Sequence, residues 1–203
     1  MVTCSLVAKY FIWRANNFHI QDVDLTPMKL QKILFHAQAL YLALYGSSLF
    51  EEDFEAWQRG PVARNVYFEY KEFGSKKIDR PTAEPVLPPE TEIYLSRIAD
   101  IFLPRNPYVL SAITHKPGTP WKIIRGDLPD NAPCDKVIPK KLIKNYYQEL
   151  LNDTKENQGE EALISQFLDF LAEDTEKNFD DMIPYTEDML QKDKYLLKGV
   201  VDL

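Results

Sequence analysis

A mainly α-helical protein, with at most a short extended or β segment, is what this sequence predicts. Two observations predict it: apolar residues recur at three- and four-residue spacing along most of the chain, and Thr-Pro pairs and glycines punctuate those stretches where helices start and stop. Composition agrees. Hydrophobic residues at 45%, charged residues at 27% and aromatics at 12% describe a folded globule, and 203 residues suffice for one domain with an extension.

The elements follow in order. Leu6, Val7, Tyr10, Phe11 and Trp13 mark a first helix over Ser5–Asn17, with Thr3 or Ser5 able to accept from its free amides. A polar stretch leads to Thr26-Pro27, an N-cap followed by proline at the first helical position. The second helix runs to Tyr45 and stops at Gly46; Leu30, Ile33, Leu34, Ala37, Leu40, Tyr41 and Leu44 form its apolar stripe, with Lys29, Lys32, His36 and Gln38 expected off the stripe or at its margin. Leu49–Trp57 is expected as a short strand or extended loop. Gly60-Pro61 breaks the chain, and Pro61 is expected to open a third helix through Val66, Tyr67, Tyr70 and Phe73, ended by Gly74.

Four prolines between Ser75 and Pro89 make that segment a surface connection. A fourth helix is predicted over Glu90–Leu103, burying Ile93, Leu95, Ile98, Ile101 and Phe102, and a short fifth over Tyr108–His115. Thr119-Pro120 repeats the start signal for a helix reaching Arg125; Gly126–Pro139 should be a loop, and Pro139 should open a helix through Ile143 and Tyr147. A compact module therefore occupies residues 1–150. Residues 151–203 form a separate acidic extension, with a polar linker over Asn152–Gly159, an amphipathic helix at Leu163–Leu171 and a weaker one at Met189–Leu197.

Charge and chemistry narrow the function. The net charge of −7 is uneven: residues 151–203 hold 14 acids against 5 bases, while the first 150 residues are slightly basic. That acidity argues against nucleic acid and fits either a solvated face or a basic partner. The longest apolar run, Leu40–Tyr45, is far too short for a bilayer, and the N-terminus lacks a secretory pattern, so the cytoplasm is the expected location. Cys4 and Cys134 are isolated from other cysteines and histidines, which excludes a disulfide scaffold and a zinc ribbon. His19, His36 and His115 share no metal motif, no nucleophile signature accompanies them, and the 7 glycines build no phosphate loop. Glu51, Glu52, Asp53 and Glu55 read as a solvated loop, and the mixed basic and aromatic run Arg64–Lys71 as core plus ordinary surface. No catalytic residue, cofactor or metal is expected.

One ordered set of motifs is more specific. Thr26-Pro27-Met28-Lys29-Leu30-Gln31-Lys32-Ile33-Leu34-Phe35-His36-Ala37-Gln38, then Ala56-Trp57-Gln58-Arg59-Gly60-Pro61-Val62, Val66-Tyr67-Phe68-Glu69-Tyr70, Leu110-Ser111-Ala112-Ile113-Thr114-His115 and Pro120-Trp121 closely resemble the Panacea domain, the SocA-like or phage-associated GepA family, over roughly residues 3–150. His36 stands where that family usually has tyrosine. The resemblance implies an antitoxin that binds a cognate protein toxin directly; one family member instead acts as an adaptor presenting its toxin to the ClpXP protease. A homo-oligomer is compatible with either. The third reading is a small hydrolase or nucleotide-modifying enzyme using His36, Gln38 and His115 with Trp57 and Trp121 as pocket walls. Leu30, Gln31, Lys32, Gln38, Trp57, Gly60, Pro61, Tyr67, His115, Pro120 and Trp121, shared with a family that meets unlike toxins, are expected to hold the fold, not to choose the partner.

Overall fold

The structure, a computed structural model, describes residues 2–17, 24–129 and 132–153. Its elements are α1 (Cys4–Asn17), α2 (Pro27–Tyr45), β1 (Phe54–Trp57), β2 (Gly60–Val62), α3 (Arg64–Tyr70) with a 3-10 turn at Lys71–Phe73, α4 (Pro89–Phe102), α5 (Pro107–His115), α6 (Pro120–Arg125), β3 (Val137–Ile138) and α7 (Lys140–Asp153). The fold is mainly α, as the periodicity predicts. His19 and both helices expected beyond residue 160 lie outside the described residues, whereas the first two residues of the expected Asn152–Gly159 linker are the helical end of α7.

Local chemistry explains the helix ends. Thr26 caps α2 by accepting from the Lys29 amide, Pro27 occupies the first turn, and Gly46 closes the helix in the left-handed conformation, donating to the Leu42 carbonyl. Asn106 and Thr119 cap α5 and α6 in the same way, each before a proline. For α1 the cap is Thr3, whose hydroxyl accepts from the Leu6 amide at 3.2 Å. The Cys4 amide, a further free donor of that first turn, reaches Glu52 Oε1 at 2.9 Å, so a distant loop completes the cap.

Helix α2 is the axis of the molecule and touches α1, α3, α4, α5, α7 and β2. From Lys29 to Leu40 every residue on it is buried. This corrects the expectation that Lys29, Lys32, His36 and Gln38 lie off the apolar stripe or at its margin: from Lys29 to Leu40 the helix is covered on every side and leaves no polar margin for them. A second correction concerns α4, where Ile93 is 56% exposed and Tyr94 takes the buried place, its hydroxyl donating to the Ala37 carbonyl at 2.7 Å.

A third correction lies at Gly60-Pro61. Pro61 does not open a helix; it sits in β2, which pairs antiparallel with β1 through Glu55↔Val62, Ala56↔Pro61 and Trp57↔Gly60, and α3 starts only at Arg64. Proline fits there because β2 is an edge strand and because the Ala56 amide opposite it bonds the other way, to the Lys136 carbonyl at 2.8 Å. The expected loop Gly126–Pro139 likewise contains β3, which pairs with β1 through Phe54↔Ile138 and Glu55↔Val137.

Gly60 carries φ +107°, and a Cβ built on it would meet Lys32 Nζ at 1.9 Å. Two independent reasons therefore require glycine. Gly60→Ala is expected to destabilise the protein by about 2–4 kcal/mol in urea unfolding, through backbone strain and the clash together. Adding Lys32→Met should recover only the steric share. Gln31 holds the next bend: its Oε1 accepts from the Ala63 amide at 2.8 Å and its Nε2 donates to the Ala63 carbonyl at 3.3 Å. Because that carbonyl also accepts from Tyr67, Gln31→Leu orphans mainly the buried amide, and a loss of about 1–3 kcal/mol is expected by the same measurement.

Candidate functional site

Lys29, Gln31, Lys32, His36 and Gln38 on α2 each turn a polar atom on a backbone or side-chain partner from another segment. Lys29 Nζ donates to the Leu103 carbonyl at the end of α4. Gln31 holds Ala63 between β2 and α3, and Lys32 Nζ donates to the Arg59 carbonyl in the hairpin turn. Gln38 holds the segment after α2, donating from Nε2 to the Phe50 carbonyl at 2.8 Å and accepting at Oε1 from the Leu49 amide at 2.9 Å. His36 meets α7, with Nδ1 2.9 Å from the Tyr147 hydroxyl, and its ring stacks on Phe102 at 5.2 Å. Leu30 completes the row as a fully buried core residue.

The hairpin receives a second grip from below. Trp121 Nε1 donates to the Trp57 carbonyl at 2.8 Å, and Arg125, one helical turn further along α6, donates to the Ala56 carbonyl at 3.1 Å. Arg125 also donates to the carbonyls of Pro129 and Ala132, both at 2.8 Å, and lies 5.0 Å over the Trp121 ring. Sequence reasoning missed Arg125. Its spacing of four from Trp121 was the available signal, since that places a cation over the ring on a helix.

His115 lies against Trp121 with ring centres 3.9 Å apart, and its Nδ1–H donates to the Ser111 carbonyl at 2.6 Å. Thr114 donates to the same carbonyl, and Thr119 donates to the Thr114 carbonyl, so the α5–α6 corner is knitted by short side-chain bonds, with Pro120 buried beneath it. The structure thus assembles Lys32, Trp57, Gly60, Pro61, His115, Pro120 and Trp121 around one hairpin. Tyr67 joins at its edge, 4.7 Å from the Trp57 ring. Leu30, Gln31 and Gln38 act elsewhere along α2.

For a hydrolase the same geometry is unfavourable. His36, Gln38 and His115 are committed to three different partners, and His36 and Gln38 are fully buried. Two members of the acidic run, read from the sequence as solvated, also hold structure: Glu52 caps α1, and Glu55 accepts from the Trp57 indole at 2.6 Å. Among the described residues no group of three or more His, Cys, Asp or Glu is placed to hold a metal ion, and no helix is long and apolar enough to cross a membrane.

Burial sets the charge states. It pushes the Lys32 amine down to about 7, with the nearby Arg59 charge adding to the effect, and Lys29 down to about 8, opposed by Asp24. It pushes His36 down to about 3, against the pull of the Leu110 backbone, so the ring is neutral at physiological pH. In all three the folded state refuses a proton that the unfolded chain accepts. Their stabilising contribution is complete above the unfolded values and is lost as pH falls toward the folded ones. Urea midpoints are expected to fall from pH 10.5 toward 7 through Lys32, and again from 6.5 toward 3 through His36. Lys32→Met should shrink the alkaline step, leaving the share of Lys29, and His36→Phe should remove its share of the acid one.

Comparison with known proteins places this architecture. A family model described as antitoxin SocA-like, Panacea domain, matches residues 30–122, the stretch from α2 to the start of α6 that contains the hairpin and its clasps. Antitoxin SocA of Caulobacter vibrioides (strain NA1000 / CB15N) is 30% identical over 134 residues, covering 58% of this chain and 71% of that protein. No solved structure matches. With its motif residues gathered around one clasped hairpin and a relative of this similarity, the chain belongs to the SocA-like Panacea antitoxin family.

Proposed function

We propose that this protein neutralises a cognate protein toxin by binding it directly, as a folded helical body with no reaction of its own. Membership of an antitoxin family supports the role. The observation that carries the mechanism is the inward commitment of the motif: the amides of Gln31 and Gln38, the amines of Lys29 and Lys32 and the His36 ring are spent on holding neighbouring segments. Side chains so engaged build a scaffold, which leaves recognition to the surface. On this reading residues 1–150 are the module that meets the toxin in the cytoplasm, and the acidic residues 151–203 are a separate extension. No cofactor is required.

The test is co-expression with the open reading frame adjacent to the gene for this chain. Expression of that neighbour alone should arrest growth, co-expression should restore it, and the two purified proteins should elute together on a sizing column. A harmless neighbour, or rescue without a complex, contradicts direct neutralisation. Repeating the rescue in cells lacking the ClpXP protease separates the two modes of action: persistence supports occlusion, while rescue that needs the protease identifies an adaptor.

A further inference from the structure

The motif residues turn inward almost without exception; Leu30, Gln31, Lys32, Gln38, Gly60, Pro61, Pro120 and Trp121 are all buried. Trp57 and Tyr67 are only half-buried, and from them a chain of rings runs outward. The Trp57 and Tyr67 rings meet edge-on at 4.7 Å, and Tyr67 meets Phe68 at 5.5 Å. Phe68 ends the chain in solvent at 45% exposure. It is bracketed by two cations on its own helical face: the Arg64 guanidinium 5.7 Å and the Lys71 ammonium 4.8 Å from its centre.

Nearby acids are engaged elsewhere or only loosely opposed. Glu55 accepts from the Trp57 indole and lies 3.7 Å from Arg64; Glu69 accepts from the Tyr70 hydroxyl and faces Lys9 at 3.9 Å; Glu72 pairs with Arg80. The outcome is an exposed aromatic flanked by two cations, on the slightly basic first 150 residues of the chain. Aromatic and arginine side chains are the groups enriched where protein interfaces concentrate their energy, and a ring already braced by cations loses little freedom on docking. Two cations among three glutamates are too few to neutralise a run of phosphates, which disfavours nucleic acid.

We infer that the Trp57–Tyr67–Phe68 face of β1 and α3, with Arg64 and Lys71 at its border, seats the toxin and takes an acidic surface of that protein with an apolar centre. This rests on the direct-binding reading above and adds to it the place and the chemistry of contact. Steering by Arg64 and Lys71 makes the association depend on ionic strength, while Phe68 and Tyr67 supply the contact that outlasts the encounter.

Binding of the purified full chain to the purified product of the adjacent open reading frame tests it. Phe68→Ser should raise Kd by at least ~10-fold as the loss of a central contact, and the double variant Arg64→Glu/Lys71→Glu by a similar factor through like-charge repulsion against an acidic partner surface. Both should unfold within a few degrees of wild type, since all three side chains are exposed and surface contacts such as Arg64–Glu55 contribute little. Added salt should weaken the wild-type complex more than that of the double variant, and Ile93→Glu, on α4, should bind as wild type. A wild-type chain that forms no complex overturns the direct-binding reading and this proposal with it. A wild-type complex whose affinity survives both α3 substitutions, or falls equally with Ile93→Glu, overturns the surface alone. So does a double variant that keeps the toxin but loses a labelled RNA or DNA duplex bound by the wild type.

Discussion

This fold is arranged around a helix whose middle has no outside. From Lys29 to Leu40 helix α2 is enclosed by its neighbours, yet that stretch includes Lys29, Gln31, Lys32, His36 and Gln38. A buried polar group without a partner costs more than most packing contacts return, so each of these side chains must find a bond inside the protein. His36 finds the Tyr147 hydroxyl; for the other four the partners are backbone groups of segments that have no ladder of their own: the end of α4, the hairpin turn, the β2–α3 bend and the segment after Gly46. One requirement thus fixes four irregular stretches at once. The polar residues are as much a part of the core as Leu30 or Ile33.

The hairpin shows the constraint at closest range. Lys32 from α2 and Trp121 with Arg125 from α6 take three carbonyls of the hairpin, those of Arg59, Trp57 and Ala56, leaving a two-strand element too short to be stable alone firmly seated. Gly60 is the point where the lysine passes, and its backbone conformation and its missing side chain serve the same passage. This arrangement also separates two tasks within the motif. Side chains aimed inward hold the hairpin; the rings of Trp57 and Tyr67, aimed along its edge, carry the motif to the surface at Phe68.

Much of the fold was legible in the sequence because it is local. Thr26-Pro27 and Thr119-Pro120 announce helix starts through capping chemistry that needs no tertiary partner, and Gly46 announces an end for the same reason. Of the hairpin only β1 was legible, inside the Leu49–Trp57 segment expected as a short strand or extended loop; its pairing with β2 was not. Strands of four, three and two residues are too short to display alternation, and Gly60-Pro61 reads as a helix opener unless the lysine 28 positions earlier is known to lie against it. Ile93 and Tyr94 were separable by periodicity alone: Tyr94 stands in register with Thr91, Leu95, Ile98 and Phe102 on one face of α4, and Ile93 does not.

By itself the sequence determined a mainly helical chain, the ends of its principal helices and the family to which it belongs, because capping residues, periodicity and a long ordered motif are all properties of neighbouring positions. The tertiary structure alone decided which partners the motif residues meet. Lys32, Gln31, Gln38 and Trp121 do their work on Arg59, Ala63, Phe50 and Trp57, partners 12 to 64 residues away in the chain. The physical reason is that burial, unlike periodicity, is set by what packs on every side of a helix. Only when α2 is enclosed do its polar side chains become clasps, and only then does it emerge which aromatic residues of the motif are left facing out.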